Sequence, residues 1–193
     1  NGVWQYGEDD TEALASDLLN LGMGSVSTVV GGLGAPTILQ VVSATKTDTY
    51  SASTATYTDI TGLTASITPN STSSKILVMT DIKVSVRDDN SQGVFVRLSG
   101  GNSANYVGDA SSSRVQAASG YSDRQADFAF SRSAVPISIT YLDSPATTSS
   151  TTYSAQIRSA DGSIAYVNRS YLDVDSTRGI RTASTITLME VAG

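Results

Sequence analysis

Apolar and polar residues alternate with a period of two along most of the chain, which is the pattern of half-buried β-strands. The alternation is clear on both sides of a run of Thr and Ser at 147–152, in the segments 137–142 and 153–158. Residues 143–145 read Asp-Ser-Pro, which is typical turn chemistry. The hydroxyl-rich run is therefore predicted to connect two strands and not two domains.

The same pattern predicts about ten short strands beyond residue 37, with turns roughly every 8 to 12 residues. The clear ones are 38–44, 55–60, 63–68, 75–87, 93–99, 126–133, 137–142, 153–158, 163–168 and 184–192, with weaker ones near 104–108 and 113–118. Beyond residue 37 many short strands and no convincing helix are predicted. This pattern favours an all-β protein, a β-sandwich of jelly-roll type.

The first 34 residues differ from the rest and predict a separate arm. Asp9 or Asp10 can cap a helix over about 10–21, and glycines follow its predicted end. The GGLGAP segment at 31–36 predicts a hinge. We therefore expect an arm at 1–34 and a β-sandwich domain at 35–193.

The predicted helix carries one apolar stripe, formed by Leu14, Leu18 and Leu21. A helix of about three turns is marginal alone in water, so the stripe must pack on something. The candidates are the β-domain of the same chain, other copies of the chain, or a larger assembly.

Two predicted strands are apolar on both faces. In the strand predicted at 75–87, Leu77 and Met79 lie on the face away from the predicted core. Met189 and Val191 lie on the corresponding face of the last strand. The outer face of an antiparallel sheet is commonly polar, so these side chains need a cover. They are candidates for an interface between copies; a loop or the arm folded back is the alternative.

Composition narrows the possible functions. The chain has no Cys and no His, which excludes disulfides, thiol nucleophiles, Ser-His pairs and most zinc or haem sites. We therefore expect no cofactor and no metal. A net charge of −6 disfavours nucleic acid and anionic lipid surfaces as partners. We find no apolar run long enough to cross a bilayer and no signal-peptide pattern, so we expect neither membrane insertion nor export.

Three polar segments are candidates for sites of chemistry. Residues 87–90, Arg-Asp-Asp-Asn, lack the spacing of a calcium loop and are typical of a turn. The segment 108–114 lacks the lysine and spacing of a phosphate-binding loop. Asp173 and Asp175 are the one carboxylate pair that could serve a glycosidase, although such pairs are commonly solvated loop residues. We expect no catalytic residues.

Tyrosine is the dominant aromatic residue, with nine Tyr against three Phe. A Tyr beside a polar loop can stack on a sugar and hydrogen-bond to it. Tyr106 and Tyr121 lie in the least regular region and are the candidate glycan contacts. The alternative is that they are half-buried strand residues.

The sequence resembles a family of tailed-bacteriophage virion proteins, described as tail fibre or structural proteins. The resemblance covers roughly residues 37–192 and is carried most specifically by PNSTSSKI at 69–76 and LDSPATTSSTTY at 142–153. The opening, GVWQYGEDDTEALASDLLNLGMGSVS, is similar to the openings of minor tail proteins and fibres in phages of actinobacteria.

This resemblance implies a non-enzymatic homotrimer on the virion, assembled in the bacterial cytoplasm. The arm would attach it to major capsid or tail baseplate proteins through the residues Trp4, Tyr6, Leu14, Leu18 and Leu21. The β-domain would project, and Leu77, Met79, Met189 and Val191 would contribute to the trimer interface. Capsid decoration and a short tail fibre both remain open. The alternative is a receptor-binding fibre head that recognises a host surface glycan.

Overall fold

The computed structural model describes residues 37–86, 92–123 and 133–193. Over these ranges the protein is all-β, with ten strands, a single 3₁₀ turn at Ser103–Asn105 and no α-helix. The chain divides into two units, Asn1–Pro36 and Thr37–Gly193. The predicted arm and its helix lie outside the described residues.

The ten strands follow one another along the second unit, with the longest connections between β5 and β6 and between β9 and β10. They are β1 (Ile38–Lys46), β2 (Tyr50–Ser53), β3 (Thr58–Ile67), β4 (Lys75–Val86), β5 (Gln92–Ser99), β6 (Ser119–Asp123), β7 (Val135–Asp143), β8 (Thr151–Ser159), β9 (Ile164–Val167) and β10 (Ser184–Val191).

The strands form two antiparallel sheets that together make a β-sandwich. Sheet A has the order β1-β10-β4-β9-β2, with β7 also paired to β4, and sheet B has the order β3-β8-β5-β6. Val84 pairs with Val135 of β7 and with Val167 of β9. These two partners therefore lie on opposite edges of β4, and β10 and β9 share the edge away from β7.

The core lies between the sheets and is built from the inward residues of each alternating strand. In β4 these include Val78 and Ile82, and in β5 Val94, Val96 and Leu98, all of them fully buried. Their neighbours Phe95 and Arg97 point to the outer face of sheet B, because successive side chains of a strand alternate between faces. The predicted β-sandwich is thus confirmed.

The hydroxyl-rich run predicted at 147–152 connects two strands over 147–150, whereas Thr151 and Thr152 already belong to β8. Strand β7 ends at Asp143 and β8 begins at Thr151, so residues 144–150 connect strands in the two sheets. The segments 55–60 and 63–68 were predicted as two strands. They belong largely to the single strand β3, which has a register shift between Asp59 and Thr64.

The weak strands predicted at 104–108 and 113–118 were wrong. Local bonds replace ladder bonds there: the Tyr106 amide donates to the Ser103 carbonyl at 3.0 Å, and the Arg114 amide donates to the Ser111 carbonyl at 3.1 Å. Strands β2 and β6 were not predicted, because their short Ser-rich sequences carry little apolar alternation. The strand predicted at 126–133 falls almost entirely outside the described residues.

Candidate interaction surfaces

Four apolar side chains form one row across the outer face of sheet A. Val41 of β1 pairs with Met189 of β10, Met189 with Leu77 of β4, and Leu77 with Leu142 of β7. Directly paired residues in neighbouring strands point to the same face, so the row is continuous across four strands. Its two ends are open to solvent, with Val41 55% and Leu142 46% exposed.

Further apolar residues extend this row on both sides. Met79, 37% exposed, lies two residues beyond Leu77, and Val191 pairs with Ile38 on the other side. We name the group the outer apolar patch: Ile38, Val41, Leu77, Met79, Leu142, Met189 and Val191. It contains all four residues that the sequence nominated for an interface between copies, and that role stays a prediction.

The outer face of β4 is apolar at Leu77 and Met79 and charged on both sides of them, with the exposed Lys75 before Leu77. Beyond Met79 come Asp81 and Lys83, whose side chains form an ion pair with each other. An exposed pair of this kind contributes little to stability. Asp81 and Lys83 neutralise each other, so the charge of Lys75, which pairs with Val191, is the one that borders the outer apolar patch along β4.

The outer face of sheet B is polar and hydrogen-bonded. Arg97 donates through Nε to Gln156 Oε1 at 2.8 Å, and Gln156 donates through Nε2 to Asp59 Oδ1 at 2.7 Å. The Arg97 guanidinium lies 4.2 Å from the ring centre of Tyr57. Burial raises the pKa of Tyr57, and Arg158 and Arg97 partly oppose that rise. This network provides hydrogen-bond partners within the protein for Arg97 of β5 and Gln156 of β8.

The two tyrosines nominated as glycan contacts lie in different settings. Tyr106 is 41% exposed and stacks on Tyr141, with ring centres 4.8 Å apart. Tyr121 pairs with the buried Val94 and packs against the core, so much of its ring is occupied by protein. The structure therefore does not bring the two tyrosines together on one exposed surface.

Asp173 and Asp175 both lie in the exposed segment that precedes β10. Asp173 is bound by two guanidinium groups, those of Arg169 at 2.7 Å and Arg181. The hydrogen bond from Arg181 and the charges of both arginines lower the pKa of Asp173. A carboxylate held ionised in this way cannot deliver a proton as a general acid near neutral pH.

Several sequence predictions fall outside the described ranges. They are the attachment residues Trp4, Tyr6, Leu14, Leu18 and Leu21, and the predicted turn at 87–90. Over residues 37–86, 92–123 and 133–193 no cluster of three or more acidic residues is arranged to hold a metal. The same ranges contain no helix long and apolar enough to span a membrane.

The fold thus defines the chain's described part as an antiparallel β-sandwich with an apolar patch on the outer face of sheet A and a hydrogen-bonded polar network on the outer face of sheet B. Neither the protein-family models nor the curated proteins compared with the sequence match it.

Two groups of residues were missed by the sequence reasoning. Val41 and Leu142 complete the outer apolar patch, but their partners in the row become visible only from the strand register. Phe95 reads as an ordinary strand residue in GVFVRLS. Its position on the outer face follows from the alternation with Val94 and Val96, which could have indicated it.

Proposed function

We propose that the protein is a non-enzymatic structural protein on the surface of a tailed-phage virion. It is a homotrimer that attaches through residues 1–34 and projects its β-sandwich, as a minor capsid or decoration protein or as a short tail fibre. The observation that carries this proposal is the outer apolar patch, since soluble monomers seldom expose large contiguous apolar patches.

The chemistry of the patch suits a second copy of the same chain. The row from Val41 to Leu142 contains no charged residue, the nearby Asp81 and Lys83 are paired with each other, and Lys75 lies at the margin of the patch, beside Val191. A contiguous apolar surface of this kind is typical of lasting interfaces between identical subunits. The patch also begins at Ile38, shortly after the predicted hinge in sequence.

The strand connections support the jelly-roll part of the proposal. The chain crosses from sheet A to sheet B between β2 and β3, returns in β4, and crosses again between β4 and β5 and between β7 and β8. Repeated crossings of this kind are a feature of double-sheet Greek-key folds.

The absence of His and Cys from the sequence and the ion-paired state of Asp173 support a non-enzymatic role. What remains is a stable, hydroxyl-rich surface, of which residues 147–152 are the clearest part. Such a surface is well suited to a domain that projects from a particle.

The test is the copy number of the protein in purified virions, measured by quantitative mass spectrometry against the major capsid protein. Hundreds of copies in fixed ratio to the capsid protein would identify a decoration protein. A few copies in multiples of three would identify a tail fibre. Absence from purified particles would overturn the proposal.

A further inference from the structure

A cleft of about 360 Å³ opens on the outer face of sheet B, between β5, β6 and the loop that precedes β6. Phe95 lines its floor, and Asp109, Ser111 and Arg114 line the loop side. The volume falls at the lower end of the range of small-molecule sites, about 300–1,000 Å³. All of the lining residues lie in the described part of the chain.

Two glycines make room for the Phe95 ring. A Cβ on Gly120, which pairs with Phe95, would lie 2.7 Å from the ring atom Cδ1. A Cβ on Gly93, two residues before Phe95, would lie 3.0 Å from Cζ. The Phe95 ring therefore lies against the backbone of two glycines, Gly93 and Gly120. Any larger residue at either position would crowd the ring.

The loop wall is held in place by bonds that leave its charged groups available. The Gly108 amide donates to the Ala117 carbonyl at 3.0 Å, and Gln116 Nε2 donates to the Gly108 carbonyl at 2.9 Å. The Tyr57 hydroxyl donates to the Gln116 carbonyl at 2.7 Å. Arg114 donates through Nη1 to Ser111 Oγ at 2.8 Å. Within the described ranges, no hydrogen bond to the Asp109 carboxylate is found.

We infer that this cleft binds a neutral saccharide, as a terminal pyranose residue. A pyranose ring has an apolar face of C–H groups that can stack on Phe95 and a rim of hydroxyls that both donate and accept. Asp109 supplies an acceptor and Arg114 supplies donors at the rim. An anion would be repelled by Asp109 and a cation by Arg114, so a neutral polyhydroxyl ligand fits this pair best.

This site differs from the tyrosine pair that the sequence nominated, and it does not depend on the proposed trimer. The cleft lies on the outer face of sheet B, whereas the outer apolar patch lies on the outer face of sheet A. Copies could therefore join through one face while the other binds sugar. Loss of sugar binding and loss of the trimer would be separate results.

The test is saturation-transfer difference NMR of the full chain with glucose, galactose, mannose, rhamnose and N-acetylglucosamine. We expect at least one of them to receive saturation, strongest at ring C–H protons, with a dissociation constant in the millimolar range. Phe95→Ala and Gly120→Ala should each weaken binding about tenfold or more, because the first removes the stacking ring and the second forces the ring out of its position. Ser66→Ala, on the same face but outside the cleft, is the control and should bind normally.

Asp109→Asn and Arg114→Gln change exposed side chains, so they keep the test decisive if a change at Phe95 or Gly120 impairs folding. Each should weaken sugar binding severalfold. The inference is overturned if none of the sugars receives saturation, or if binding survives Phe95→Ala and both rim changes. It is equally overturned if only sulfate, added as a probe anion, binds and does so through Arg114.

Discussion

The hydroxyl of Tyr153 in β8 donates a 2.6 Å hydrogen bond to the carboxylate of Asp143 at the end of β7. Both residues are fully buried. The same carboxylate accepts the amides of Ser144 at 2.8 Å and Asn102 at 3.1 Å. One buried side chain therefore joins the two sheets to the turn that follows β5, and burial together with this bond raises the pKa of Tyr153.

Removing either member of this pair should destabilise the fold. Tyr153→Phe leaves the carboxylate with one donor fewer and should cost about 1–3 kcal/mol of unfolding free energy. Asp143→Ala should cost more, because it also strands the buried Tyr153 hydroxyl. Urea unfolding measures both. Asp175→Ala, an exposed acidic change, should stay within about 0.5 kcal/mol of the parent, and an equal loss there would contradict the account.

Substitution of Gly101 by alanine should destabilise the fold more than the same substitution of Gly162, which also has a positive φ. Gly101 has φ +51° and Gly162 has φ +89°, where an ordinary residue pays about 1–2 kcal/mol. A Cβ on Gly101 would also overlap Asp143 Oδ2 and lie 2.7 Å from the Tyr153 hydroxyl, whereas on Gly162 the nearest heavy atom is 4.0 Å away. Thermal unfolding should therefore show a larger loss for Gly101→Ala than for Gly162→Ala.

Glu190 should make stability depend on pH. Burial by itself would raise the pKa of this carboxyl, but hydrogen bonds from Gln40 at 2.6 Å and from the Asn70 amide at 2.7 Å hold it below its ordinary value of 4.5. A lowered folded-state pKa means that the contribution is complete above pH 4.5 and is lost as the pH falls through the folded value.

The matched variant is Glu190→Gln, which cannot titrate. The difference in unfolding free energy between the parent and this variant should be constant above pH 4.5 and shrink on further acidification. Urea midpoints measured across this range give the answer. A difference that stays constant down to the lowest pH would show that Glu190 does not contribute through its charge.

Asp173 and Asp175 should have no catalytic role. Asp173→Asn removes the acceptor of two guanidinium groups, so it should loosen the segment between β9 and β10 without changing any chemistry. Incubation of the parent protein and of Asp173→Asn and Asp175→Asn with host surface polysaccharide should release no new reducing ends. Cleavage by the parent that either variant abolishes would make the protein an enzyme.

The sequence indicated the sandwich because its core strands alternate strongly. In strand β4 every second residue from Ile76 to Val84 is buried. Strand β7 shows the same alternation at Ile137 and Ile139. Strand β6, SGYSD, has one large apolar side chain, so only its pairing with β5 defines it as a strand.

The surfaces were harder to predict than the core. Leu77 and Met189 were nominated because each breaks an alternation, which is a local signal. Their grouping with Val41 and Leu142 depends on which strands become neighbours, and β1, β4, β7 and β10 are far apart in sequence. The cleft at Phe95 likewise depends on Gly120 lying opposite that ring, which no local pattern reveals.

A charge placed in the outer apolar patch should separate the copies. Leu142→Lys puts an ammonium group at the exposed end of the four-residue row, where association would bury it at a high cost. Ser138→Lys is the matched control, since it lies on the same strand and the same exposed face but next to Asp81. Circular dichroism should be unchanged in both, with assembly lost only for Leu142→Lys.

The most direct test of the account is the solution mass of the full chain, measured by light scattering coupled to size exclusion. The account predicts three times the 20.0 kDa mass of one chain for the parent and for Ser138→Lys, and the mass of a single chain for Leu142→Lys. A parent protein that elutes as a monomer at all concentrations would contradict the claim that the outer apolar patch joins three copies.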